Sequence, residues 1–314
     1  MTARLIMKLP VAAVRPQGDG VSLFTLVHAR RPELPAFTPG AHVDLHLPDG
    51  RIRQYSLCGD PADRSSYRIA IRREGQGRGG SVLAHDTLTP GAIVPVSAPR
   101  NNFPLAAGAR RHVLVAGGIG ITPFVAMAHQ LRREGADFTL HYCARRRDAP
   151  LMAELRRLCG PRLVCHCADD PADARFDPAM LGAAYPGTHV YCCGPARLLR
   201  SVQDATAAWP AAQVHWEVFQ AAVDENFRPE PFDVILASTG ERVRVPADRS
   251  ALETLRLRGL VLPSSCESGV CGACECGYRS GAVIHRDSLL DAAARQARMM
   301  LCVSRGRGSV TLEL

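Results

Sequence analysis

Cys266, Cys271 and Cys274 sit in the short tract SSCESGVCGACEC, and Cys302 follows in MMLCVSRG. The spacing C-x4-C-x2-C…C is the plant-type [2Fe–2S] pattern, and it constrains the fold more than any other feature. Two irons need four thiolates arriving from two directions. One loop must therefore wrap closely, and a separate segment must deliver the last ligand. Gly269 and Gly272 tolerate the backbone angles that wrapping demands. Loop N–H groups then point at the sulfurs and set the potential. Zinc is the competing reading, but it usually takes two short Cys-x-x-Cys knuckles and this tract has one. A thioredoxin-type pair from Cys271 and Cys274 needs to open a helix after a strand, which this loop does not do. Cys276, two residues past a ligand, reads as a packed thiol.

Eight of the twelve cysteines remain. Cys143, Cys165, Cys167, Cys192 and Cys193 lie on apolar strands, where a thiol is ordinarily a small buried hydrophobe. In a cytoplasmic chain, disulfides are not expected. Cytoplasmic placement is itself an expectation: Pro10 breaks the N-terminus too early for a secretory signal, and no apolar run approaches the ~18 residues of a membrane span. With 46% hydrophobic residues the chain is not dominated by disorder. The net charge of +8 comes from arginines apart from Lys8. Aromatics are only 5% and interleave with no basic run, so neither nucleic acid nor a membrane is expected as partner.

The length of 314 residues suggests two domains, but the texture suggests three. Residues 1–108 alternate in short segments such as AHVDLHL (41–47) and YRIAIRR (67–73), punctuated by Gly and Pro, which predicts an antiparallel β-barrel. Residues 109–225 alternate strands with helices. The strands are 112–118, 138–143, 162–167 and 188–193, and the helices 123–134, 152–158 and 196–209. That pattern predicts an α/β domain with a parallel sheet. The tract 217–231 reads as a linker. Residues 226–314 hold a hairpin over 232–246 turning near Gly240, a helix over 250–259 and the cysteine loop. So small a unit gains from a cluster in folding.

AGGIGITP (116–123) lies between a strand and a helix. Thr122 can cap that helix, and Pro123 suits its first turn. Gly117, Gly118 and Gly120 let amides approach a pyrophosphate where the helix dipole favours anions. Cys193, Gly194 and Pro195 form a similar turn after a later strand. Two such turns at strand ends suit the crevice of a doubly wound sheet and favour a nicotinamide dinucleotide; a plain tight turn is the alternative for either alone. In RQYSLC (53–58), Arg53 is a forked phosphate donor, Tyr55 a planar surface for a flavin ring and Ser56 a donor to a ring nitrogen; Gln54 lies between them. Arg78, Gly79, Gly80 and Ser81 could serve the same phosphate. Each is equally an ordinary strand or turn residue. Residues 1–108 carry 13 basic against 8 acidic residues, which suits an anionic ligand there.

In order, RxYS, GRGGS, GGIGITP, CGP and C-x4-C-x2-C…C resemble the phthalate dioxygenase reductase family, reductase components of Rieske-type oxygenases and demethylases, over essentially the whole chain. The resemblance implies three parts: an antiparallel β-barrel flavin domain, an α/β nucleotide domain and a C-terminal β-grasp ferredoxin domain. It implies FMN, with its phosphate on Arg53, Gly79, Gly80 and Ser81. Tyr55, Ser56, Ala70, Ile71, Arg72 and Thr122 would meet its ring, and Phe219 would lie nearby. NADH would lie between Thr122 and Cys193–Gly194–Pro195. NADPH stays open, because Arg145 begins a run of three arginines after strand 138–143 and arginine can accept a 2′-phosphate. Ser56, Thr122 and Cys193 are the expected catalytic residues: Ser56 tuning the flavin, the other two orienting the nicotinamide. The expected partner is a Rieske-type oxygenase. A cytochrome P450 acceptor and a redox-sensing carrier are the alternatives.

Overall fold

The computed structural model describes residues 5–77, 79–170, 173–219 and 227–314. It divides into two compact units, Met1–Glu217 and Val218–Leu314.

The first unit opens with β1 (Ile6–Pro16), β2 (Val21–Val27), β3 (Ala41–His46), β4 (Ile52–Ser56) and β5 (Ser66–Arg72). Helix α1 (Gly80–Thr87), β6 (Ile93–Ser97) and the short β7 (Arg100–Asn101) follow. The strands run in the order β4-β3-β6-β1-β2-β5, with β7 on β3. A bridge between Leu57 and Ile69 joins the two ends, so the antiparallel sheet curls shut as a barrel. Alternation decides what fills it: Leu9, Val43, Leu45, Ile69 and Val96 point inward and are buried.

A second sheet in the same unit holds β8 (Arg111–Gly117), β9 (Asp137–Ala144), β10 (Leu163–Cys167), β11 (Thr188–Cys193) and β12 (Val214–Glu217). Its order is β10-β9-β8-β11-β12 with every pair parallel. The helices are α2 (Thr122–Arg133), α3 (Met152–Cys159) and α4 (Ala196–Ala205). Helix α2 buries Phe124, Val125, Met127, Ala128 and Leu131 and stops before Gly135, whose φ of 65° no helix continues through. Helix α4 ends earlier than the period suggests, because the Thr206 hydroxyl turns back onto the Val202 carbonyl and Pro210 follows. The tract beginning at Glu217 is not all linker: Val214–Glu217 is the fifth strand, paired to β11. A four-residue strand is too short to announce itself by period.

The second unit contains β13 (Phe232–Leu236), β14 (Arg242–Val245), α5 (Ala251–Leu257), β15 (Glu275–Ile284), β16 (Arg298–Met300) and β17 (Arg305–Leu312). The order β14-β13-β17-β15-β16, with β13 and β17 parallel and the other pairs antiparallel, is a β-grasp sheet. A reciprocal capping box between Ser250 and Glu253 starts α5. No helix among the described residues is long and apolar enough to cross a membrane.

Candidate redox sites

Strand β8 is the centre of the parallel sheet. The chain leaves it for β9 and β10, then returns to its other side at β11, so the switch point lies between the ends of β8 and β11. Both glycine turns stand there. They touch: a Cβ on Gly120 would lie 2.3 Å from the Cys193 carbonyl oxygen, and one on Gly117 would lie 2.6 Å from Pro195. The glycines are therefore needed for two turns to meet, as well as for any approach to a pyrophosphate. Thr122 does not cap α2. That position belongs to Ile121, and the buried Thr122 hydroxyl donates to the Ile119 carbonyl at 3.1 Å. Pro123 does occupy the first turn. Arg145 is exposed at the end of β9. Arg146 pairs with Asp148 at 2.9 Å, and Arg147 with Asp170 and Asp173.

Cys193 ends β11 fully buried. Its register partner is Glu217 at the end of β12. The Cys193 Sγ donates to Glu217 Oε2 at 4.0 Å, and Ser56 Oγ, from the end of β4, donates to the same oxygen at 3.5 Å. Burial pushes the Glu217 carboxyl up to about 8, against a smaller lowering by the Ser56 hydroxyl. Burial, then Glu217, raises the Cys193 thiol well above its ordinary range. Two expected residues are thus brought together by a third that sequence reasoning assigned to a linker.

Along β4, Tyr55 is half-buried, with its hydroxyl pushed up to about 12 by burial. Gln54 hydrogen-bonds His42 at 3.0 Å. In β5, Ala70 and Ile71 are buried in the core while Arg72 is exposed, so Ala70 and Ile71 offer a ligand mainly backbone groups. Gly79, at φ 74°, sits at the N-cap of α1, whose first turn carries no acidic residue. A Cβ on Gly79 would fall 2.4 Å from Arg51 Nη1, and one on Gly80 would fall 2.5 Å from Arg53 Nε. Two guanidinium groups therefore lie against a bare helix N-terminus, which together fit a phosphate dianion. Ser81 accepts the Glu74 N–H at 3.0 Å and keeps its hydroxyl proton to donate. Arg51 is a residue the sequence reading missed. Arg78 lies outside the described residues, and Phe219 is exposed.

In the second unit, Cys274 immediately precedes β15 and Cys302 shortly follows β16. The antiparallel register pairing Glu275 with Met300 brings them to one end. The four thiols gather in twos. A thiol–sulfur hydrogen bond from Cys271 lowers Cys266 and raises Cys271, and a separate one from Cys302 lowers Cys274 and raises Cys302. Cys266 thus pairs with Cys271 and Cys274 with Cys302, and two pairs of thiols fit two irons. Backbone N–H groups already aim at sulfur: Ser268 to Cys266 at 3.3 Å, Cys266 to Cys271 at 3.4 Å, and Gly269 to Cys302. Glycines at φ 76° and 77°, Gly269 and Gly272, turn the loop. Cys276 is buried in β15 with its Sγ on the Gly277 carbonyl, a packed thiol.

Two family models match the chain. One is a 2Fe-2S iron-sulfur cluster binding domain, over residues 234–306. The other is the N-terminal domain of dimethylamine monooxygenase subunit DmmA-like proteins, over residues 97–213. The chain is 41% identical over 309 residues to the phthalate 4,5-dioxygenase oxygenase reductase subunit of Pseudomonas putida, covering 96% of this chain and 94% of that one. The solved structure of phthalate dioxygenase reductase, described as a modular structure for electron transfer from pyridine nucleotides to [2Fe–2S], matches with a TM-score of 0.85. Its identity is 38%, over 98% of both chains. An intact type IV self-sufficient cytochrome P450 monooxygenase matches at 38% identity and a TM-score of 0.76, covering 98% of this chain and 41% of that one.

Proposed function

This chain belongs to the phthalate dioxygenase reductase family, and from that premise we propose that it carries electrons from NADH through FMN and a [2Fe–2S] cluster to a Rieske-type oxygenase or demethylase. It is the electron-transfer oxidoreductase of an oxygenase system, with a flavin-binding sheet, a pyridine-nucleotide sheet and a C-terminal [2Fe–2S] domain. We divide these at 1–108, 109–225 and 226–314. A nicotinamide yields two electrons as hydride and a [2Fe–2S] cluster takes one, so the flavin supplies the conversion.

The protein's part is positioning. In this reading Cys266 and Cys271 hold one iron, and Cys274 and Cys302 the other. The gathering of those four thiols, with loop N–H groups already aimed at them, is the observation that carries the proposal. Arg51, Arg53, Gly79, Gly80 and Ser81 take the single terminal phosphate of FMN. Gly117, Gly118, Gly120, Gly194 and Pro195 line the dinucleotide's path. Ser56, oriented by Glu217, stands at the flavin edge, and Thr122 and Cys193 shape the nicotinamide pocket. NADH is favoured over NADPH because Asp148, Asp170 and Asp173 engage Arg146 and Arg147, leaving less positive charge for a 2′-phosphate.

An anaerobic NADH titration, followed by absorbance and electron paramagnetic resonance, tests the route. Flavin and cluster should both bleach, with a one-electron cluster signal appearing. If NADH reduces neither centre in a fully loaded preparation, the proposal fails. The likeness to a self-sufficient P450 favours a second reading, in which the acceptor is a haem oxygenase. Reoxidation of the reduced protein by a P450 but not by a Rieske oxygenase would select it.

A further inference from the structure

Glu267 directly follows Cys266 and holds a φ of 50°. That left-handed conformation is strained for a residue with a side chain, so neighbours must enforce it. Here they do. Arg256, in the last turn of α5, donates through Nη1 to Glu267 Oε1 at 3.0 Å. Its Nη2 donates to Ser264 Oγ and to the Leu262 carbonyl, each at 2.7 Å. Ser264 in turn donates to Glu267 Oε1 at 3.0 Å. Ser264 is buried, and the Glu267 side chain is only 11% exposed. One guanidinium thus clamps the chain on both sides of Cys266, and α5 is itself anchored by its capping box.

The clamp bears on the loop whose Cys266, Ser268 and Gly269 N–H groups point at sulfur. It also bears on charge. A carboxylate one residue from a ligand opposes the arrival of an electron, and the fixed guanidinium offsets it. We infer that Arg256 is a positioning residue for the cluster, setting its potential by holding Glu267 and Ser264 and neutralising the carboxylate. The inference rests on the reading of Cys266, Cys271, Cys274 and Cys302 as iron ligands.

The test is a redox titration of the cluster in the full-length holoprotein, read by electron paramagnetic resonance. Arg256→Gln leaves the carboxylate unopposed and should lower the potential by about tenfold in the one-electron equilibrium, ~59 mV, with altered g-values. Glu267→Gln should shift it upward. The double variant should return toward wild type. Arg256→Lys keeps the charge without the fork, and should restore the potential more than the g-values. If Arg256→Gln cannot hold a cluster, Glu267→Gln decides alone: an upward shift supports the clamp, an unchanged potential overturns it. Wild-type potentials and spectra in both single variants also overturn it. A wild-type protein that assembles no cluster counts instead against the ligand assignment.

Discussion

Glu217 is an acid that burial keeps protonated at neutral pH. Its folded pKa of about 8 lies above its ordinary 4.5. The native state therefore binds the extra proton between those values, and stability falls as pH rises through that window. The contribution is fully present below about 4.5 and gone above about 8. At about 1.4 kcal/mol for each tenfold change in proton affinity, the wild type should lose a few kcal/mol across this range. Glu217→Gln, neutral throughout, should lose less, as urea denaturation at pH 5, 7 and 9 would report; parallel curves would refute the assignment. The rate of flavin reduction by NADH should also fall above about pH 8 in wild type and stay flatter in the variant. Cys193 was legible because a strand ends there on Gly-Pro. Glu217 was not, because only the parallel register of β11 and β12 sets it beside Cys193 and Ser56.

The glycine turns separate two kinds of tight contact. Gly120→Ala would drive a Cβ into the Cys193 carbonyl, which is backbone and cannot step aside. It should destabilise the first unit by about 1–3 kcal/mol. Gly80→Ala meets only a side chain, Arg53, whose Nε and Cγ would lie 2.5 and 2.9 Å from the new Cβ and must shift aside. It should cost less thermal stability than Gly120→Ala while the flavin dissociates about tenfold more readily, measured by fluorescence release. Equal melting losses in both variants would contradict the distinction. Period alone revealed most helices and parallel strands here; the donor chemistry of GRGGS, not its period, suggested a phosphate loop. Neither revealed that Gly80 begins α1, or that the β3–β4 turn carries Arg51 against Gly79, since that contact depends on how the barrel curls.

Three textures along the chain become two compact units because hydrophobic period reports the kind of sheet, not how closely two sheets are joined. Within Met1–Glu217 the barrel and the parallel sheet are tied together. Arg68 of β5 grips Glu154 of α3 with both guanidinium nitrogens, at 2.9 and 2.5 Å, and Ser56 meets Glu217. Hydride chemistry thus has a core of its own. The four thiols belong wholly to Val218–Leu314, a smaller unit whose core includes Cys274 and Cys302 beside Leu252, Met300 and Leu301. Losing the cluster should therefore damage that unit and spare the other, because metal binding energy is folding energy only for the part that holds the ligands. Cys271→Ser should abolish cytochrome c reduction and keep NADH–ferricyanide turnover within about twofold of wild type, since ferricyanide can draw directly on the flavin. Calorimetry should show one transition lowered and one unmoved. Equal loss of both activities would mean that the flavin and nucleotide sites depend on the cluster unit, and the independence inferred from the two cores would fall.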